Sequence, residues 1–120
     1  MITGTHAIIY ADDAAQARAF FRDVLGLPNV DAHDGWLIFQ LHPAELGIHP
    51  AAEPGAPSGR HEIYLMCDDI TGTVEELTGR GAEFTSPVTE AGFGLLTSIR
   101  IPGGGQIGLY EPKHPTAHDL

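Results

Sequence analysis

Apolar and polar positions follow one another along this chain in two rounds of the same pattern. Residues 6–11 (HAIIYA) are a short apolar run rich in strand formers, closed by Asp12-Asp13. In the next stretch, AAQARAFFRDVLG, residues Ala14, Ala17, Phe21, Val24 and Leu25 recur at three and four residues, the spacing of one apolar helix face. Asp12 or Asp13 suits the helix N-cap, and Gly26 suits the left-handed position past its end. Leu27-Pro28 then stops it. Three strands are predicted to follow, over about 29–33, 36–41 and 44–50, with Asp34-Gly35 as a hairpin turn between the first two.

After AAEPGAPSG (51–59), whose Pro, Gly and small residues are linker composition, the pattern restarts. HEIYLMCDD (61–69) reads as a strand, and ITGTVEELTGRGA reads as a helix with Ile70, Val74 and Leu77 on one face. Its start is capped either by Asp69 or by the capping-box pair Thr73 and Glu76, and Gly81 ends it. The runs EFTSPVT, GLLTSIRI and QIGLYEP complete the second set of strands. An offset of 55 residues superposes GTHAIIYADD on GRHEIYLMCDD, so that His6 falls over His61. Such a repeat predicts two similar modules of β-α-β-β-β order. Module 1 spans about 4–51, the linker 52–58, module 2 about 59–113 and a tail 114–120, all in one domain of 120 residues.

The glycine-rich stretch PGGGQIGLYEP (102–112) spells G-x-G-x-x-G through Gly103, Gly105 and Gly108. A dinucleotide loop needs a strand before it, a helix after it and an acidic residue about twenty positions on. Here a strand follows and a dozen residues remain, so no nucleotide cofactor is expected. Gly103 to Gly105 read instead as a turn.

Composition narrows the function classes. With 42% hydrophobic and 18% charged residues, the chain suits a globular domain rather than a disordered one. No apolar run approaches the ~20 residues of a membrane span, and MITGTHAIIYADD lacks the basic start of a signal peptide. The net charge of −10, with six scattered basic residues, argues against nucleic acid and against anionic membranes. A single cysteine, Cys67, permits no internal disulfide and fits a reducing, cytoplasmic setting. No cation adjoins it, so it reads as a small hydrophobe rather than a nucleophile.

The openings THAIIYADD…ARAFFRDVLGL and RHEIYLMCDD…EELTGRGAEF, with the closing IPGGGQIGLYEP, resemble the vicinal-oxygen-chelate superfamily. That group includes glyoxalase I, extradiol dioxygenases and the bleomycin resistance proteins, and the resemblance covers about residues 4–113. It implies an α+β fold in which two pseudo-symmetric βαβββ modules form a cupped mixed β-sheet, with helices on its outer face. It also implies a homodimer. In metal-dependent members each module supplies a histidine from its first strand and a carboxylate from its last, and the ion activates adjacent oxygens of a substrate. His6 and His61 match the histidine positions. Gly47 and Gly108 stand where the carboxylates belong.

A divalent metal (Zn, Fe, Ni or Mn) would therefore need a third ligand from elsewhere. His49 or Glu111 is the candidate, and Glu45 a weaker one. His49 shares a strand face with Glu45 and Gly47, whereas alternation turns Glu111 away from Tyr110 and Gly108 unless a bulge intervenes. The metal-free alternative uses the space left by the two glycines. Tyr10, Trp36, Gly47, His49, Gly108 and Tyr110 would then line an aromatic cup for a small molecule. The residues leave three functions open: a lyase, isomerase or dioxygenase with a non-standard metal site, a metal-free protein that binds and sequesters its ligand, or a metal-free enzyme using a histidine or tyrosine as general base.

Overall fold

A computed structural model describes residues 1, 3–50, 58–118 and 120; the linker expected over 52–58 lies outside them except for Ser58. Helix α1 (Ala14–Ala19) starts where Asp13 Oδ1 accepts a hydrogen bond from the Gln16 amide at 3.0 Å. It runs on as a π-helical turn, Phe20–Val24, in which the Leu25 amide donates to the Phe20 carbonyl. Ala17 and Phe20, three residues apart, share the buried side of the helix. Gly26, at φ 68°, then closes the helix in the left-handed region, as its position in the pattern predicts.

Strands β1 (Asn29–Asp31) and β2 (Leu37–Phe39) form an antiparallel hairpin. Both residues of the Asp34-Gly35 turn have positive φ. Strand β3 (Tyr64–Met66) leads into α2 (Ile70–Gly79), and β4 (Thr89–Ala91), β5 (Gly94–Arg100) and β6 (Gln106–Pro112) follow. These four strands make one mixed sheet in the order β3-β6-β5-β4, with β3 parallel to β6. The fold is therefore mixed α+β, a four-stranded sheet with two helices. Asp69 caps α2 by accepting from the Gly72 amide, and the Thr73 hydroxyl bonds back to the Asp69 carbonyl, which decides between the two expected caps.

The second round of the pattern folds as a four-stranded sheet, whereas the first yields only the β1–β2 pair. Residues 6–11 and 44–50, expected as strands, are not paired into any sheet. EFTSPVT contributes only an isolated bridge, Phe84 to Ile99, ahead of β4. The physical reason is where the apolar contacts go. Among the described residues, only Ala17 and Phe20 of the buried apolar set precede Ile70; the others are Ile70 at the start of α2, Ala82 just past its end, Ile99 in β5, Ile101 just after it, and Ile107 and Leu109 in β6. Meanwhile Ile8, Tyr10, Val30, Trp36, Leu46 and Ile48 are each more than half exposed. No helix among the described residues is long and apolar enough to cross a membrane.

The first half is nonetheless tied to the second. The Asp13 amide donates to the Gly103 carbonyl at 2.8 Å, and Arg80 Nη1 donates to the Val24 carbonyl at 3.3 Å. Gly103 and Gly105 hold positive φ, as a tight turn requires. A Cβ on Gly104 would strike Ala11, so this turn is glycine-rich partly because the chain entering α1 lies against it.

Candidate functional site

Alternation along β6 sorts its side chains onto two faces. Ile107 and Leu109 are buried in the core. Glu111 has their parity and faces the helices: its Oε1 accepts from the Ile70 amide at 3.0 Å, and its other oxygen pairs with Lys113. The lysine, and then the Ile70 amide, hold this carboxyl below the ordinary range. Glu111 thus serves the N-terminus of α2, where a carboxylate is favoured by the helix dipole.

Gly108 and Tyr110 have the opposite parity, and Tyr110, with Tyr64, borders a broad cleft between the sheet and the N-terminal half that Ile107 and Leu109 also reach. The parallel register sets Tyr64 beside Gly108 and Met66 beside Tyr110. A Cβ on Gly108 would fall on the Tyr64 ring itself. The space that the missing side chain leaves is therefore filled by a neighbour's aromatic ring. At Gly47 the situation differs, since a Cβ there would make only an ordinary 3.6 Å contact with the His49 ring.

Rings gather around Tyr110. Tyr64 meets it at 5.6 Å between centroids and 81°, and Phe93 at 6.1 Å and 74°. His49 packs edge-on to Phe93 at 5.7 Å, and His114 stacks on Tyr110 at 6.0 Å. Edge-to-face geometry of this kind is the favoured one for aromatic pairs. The Tyr110 hydroxyl stands 3.2 Å from Glu45 Oε1 and 3.0 Å from His114 Nε2. His114 Nδ1 lies 2.8 Å from the Pro115 carbonyl, which can only accept, so Nδ1 carries a proton. Glu45 also accepts from the Ala117 amide at 2.8 Å, which ties the segment after β6 across the cleft.

That amide bond and the Tyr110 hydroxyl hold the Glu45 carboxyl below the ordinary range against the opposing effect of burial. Burial first, and Glu45 second, push the Tyr110 phenol up, so it remains a protonated donor at neutral pH. The Tyr64 phenol is raised in the same way by burial and by Glu62, to which it donates at 3.3 Å.

The sign of the pH effect follows. A carboxyl whose folded pKa is depressed stabilises the fold fully above its unfolded pKa, and that contribution is lost as pH falls through the folded one. Glu45 is therefore expected to hold residues 114–117 down at neutral pH and to release them below the ordinary carboxylate range. Hydrogen exchange at the Ala117 amide reads this directly. Glu45→Gln should expose that amide at neutral pH, and the difference from wild type should vanish in acid.

The other residues expected at a site divide in two. His6, Tyr10, Trp36, Glu45, His49 and Tyr110 all border the cleft, whereas His61, Gly108 and Glu111 do not. Trp36 sits under the Arg18 guanidinium, 4.6 Å from its ring centroid. Among the described residues, no three His, Cys, Asp or Glu side chains are grouped to hold a metal ion. The donor set as arranged does not fit one. Cys67 is half-buried with its thiol 3.7 Å from the Tyr110 carbonyl, and burial pushes the thiol up.

Tyr64, Glu62, Phe93 and His114 escape a reading of the sequence. Gly108 holds the signal for Tyr64: a glycine in mid-strand often marks the close approach of another group. The parallel pairing that brings the two together is a long-range contact, invisible in local periodicity.

The four-stranded mixed sheet, its two helices and the cleft over Tyr110 define a known class. A family model described as the Glyoxalase/Bleomycin resistance protein/Dioxygenase superfamily matches residues 5–114, and the chain belongs to that superfamily. Comparison with curated proteins gives no match. Among solved structures, a superfamily member from Sphaerobacter thermophilus is 27% identical over 92% of this chain and 98% of its own, with a TM-score of 0.63. An antibiotic-binding protein from a Streptomyces species is 20% identical over 94% and 100%, with a TM-score of 0.62. A lactoylglutathione lyase from Agrobacterium tumefaciens is 22% identical over 91% and 96%, with a TM-score of 0.54. The last two likenesses concern the fold.

Proposed function

We propose that this chain is a small-molecule-binding protein that captures its ligand in the aromatic cleft without a metal. The observation that carries this reading is the Tyr64 ring over Gly108. It occupies the position from which metal-dependent members of the superfamily would present a carboxylate. Glu111, the nearest substitute, is engaged at α2. Half-exposed rings with a few polar groups are the usual lining of a ligand site. The antibiotic-binding relative and the lyase relative share the fold with opposite chemistries, so the site residues, not the fold, favour binding.

A thermal-shift screen of small molecules is expected to find ligands that are recovered unchanged. Turnover of a bound compound would defeat the reading. So would a stoichiometric metal found by elemental analysis of protein purified without chelator and lost in His6→Ala with His61→Ala; that result would point to a metal-dependent lyase, isomerase or dioxygenase.

The protein acts, on this proposal, as a cytoplasmic homodimer. What supports the dimer is the apolar surface that the described N-terminal half leaves open, with Leu46 and Ile48 each 85% exposed. Sedimentation velocity should give a dimer, and Ile48→Asp should shift it to monomer. A monomeric wild type at high concentration would remove this part of the proposal.

A further inference from the structure

The corner of the cleft around Tyr110 has a chemical preference that goes beyond small-molecule binding, and that preference rests on the binding reading above. We infer that the ligand carries an organic cation, a quaternary ammonium or protonated amine on an apolar body, seated among Tyr64, Phe93 and Tyr110 with Glu45 and Glu62 behind them.

Three features point to this charge. Tyr64 and Phe93 each stand nearly perpendicular to Tyr110, at 81° and 74°. Neighbouring rings at right angles form a corner rather than a flat wall. A corner suits a rounded ammonium head, whereas a planar body would prefer a flat stacking surface. Secondly, the hydroxyls of both tyrosines lie on carboxylates, Tyr64 on Glu62 and Tyr110 on Glu45. A phenol that donates to an anion is more electron-rich in its ring, which strengthens attraction for a cation. The carboxylates also add their own charge behind the rings.

The third feature is the balance of charge. Glu45 side-chain exposure is 13%, and the Tyr110 hydroxyl and the Ala117 amide that donate to it are neutral. His114, 3.5 Å from Glu45, and His118, which also acts on this carboxyl, bring a positive charge only when protonated. Arg60 pairs with Glu62 at the rim. Arg18, which borders the same cleft, lies over Trp36, so one cation already rests on an aromatic face there. With a net charge of −10, the whole chain attracts cations at longer range.

Calorimetric titration of the wild-type protein with matched probes tests this. The probes are meta-hydroxyphenyl-trimethylammonium, its neutral carbon isostere meta-tert-butylphenol, and the anion meta-hydroxybenzenesulfonate. The cation should bind about tenfold or more tightly than the isostere. The sulfonate should give no measurable heat. Glu45→Gln and Phe93→Leu should each narrow the ratio, and the wild-type ratio decides the matter if either variant fails to fold. Equal or tighter binding of the isostere, preference for the sulfonate, or no binding of the cation in the millimolar range overturns the inference. Binding of neutral probes without cation preference would leave the binding-protein reading standing, and a screen that finds no ligand of any charge would remove both.

Discussion

Replacing Gly108 by alanine is expected to destabilise the protein, although alanine is the better strand residue. The added Cβ has to displace the Tyr64 ring at its root, since Cγ as well as the ring edge stands in its way. Moving that ring as a whole breaks its bond to Glu62 and its contact with Tyr110. Overpacking of this kind costs about 1–3 kcal/mol, offset by about 0.5–1 kcal/mol from the lower unfolded-state entropy of alanine. The net loss should be measured by denaturant unfolding. In a Tyr64→Ala background the same change should become neutral or stabilising, and the double-mutant cycle isolates the coupling. Gly47→Ala serves as the contrast, with room for the methyl and little effect. If Gly108→Ala were harmless in the wild type, Tyr64 would not occupy that space.

The second large effect concerns the core. Ile99 is fully buried and lies across from Ile107 in the sheet. Truncation to alanine should cost about 2–5 kcal/mol, out of a total stability of about 5–15 kcal/mol for a domain. Ile48→Ala, at a position 85% exposed in one chain, should lie within about 0.5 kcal/mol under conditions that keep the chain monomeric. At concentrations that favour the dimer its cost should rise. Urea titrations of both variants at two protein concentrations would show the difference, and a concentration-independent result for Ile48→Ala would weigh against its burial by a second copy.

These contrasts also explain what the sequence made legible. Helices announce themselves locally: Asp13 and Asp69 cap where the pattern places them, and Gly26 and Gly81 take positive φ at the two helix ends. The turn at Gly103–Gly105 and the strand after it are equally local. The strands 6–11 and 44–50 have the right composition but no partner within the described fold, because strand formation needs a neighbouring edge and composition does not supply one. At the site, the letters show glycine where a carboxylate would stand at 108, and strand alternation points to Tyr110, Trp36 and His49 as ring residues. That Tyr64 covers Gly108, and that His114 returns to stack on Tyr110, depends on a parallel pairing and on a chain reversal. Neither leaves a periodic trace.

The lopsided core has a consequence for biosynthesis. Synthesis runs from the N-terminus, so the apolar residues of 6–11 and 44–50 leave the ribosome well before β5 and β6 exist to organise a core. At about 5–20 residues per second, the nascent chain spends several seconds with those residues uncovered. Vectorial folding therefore starts late in this protein, and its first half depends on chaperones or on its own solubilising charge in the interval. A nascent chain halted before Gly94 should crosslink strongly to ribosome-associated chaperones, and one released past Pro112 should keep crosslinks near Leu46 and Ile48, which the single folded chain leaves exposed, until a second copy covers them.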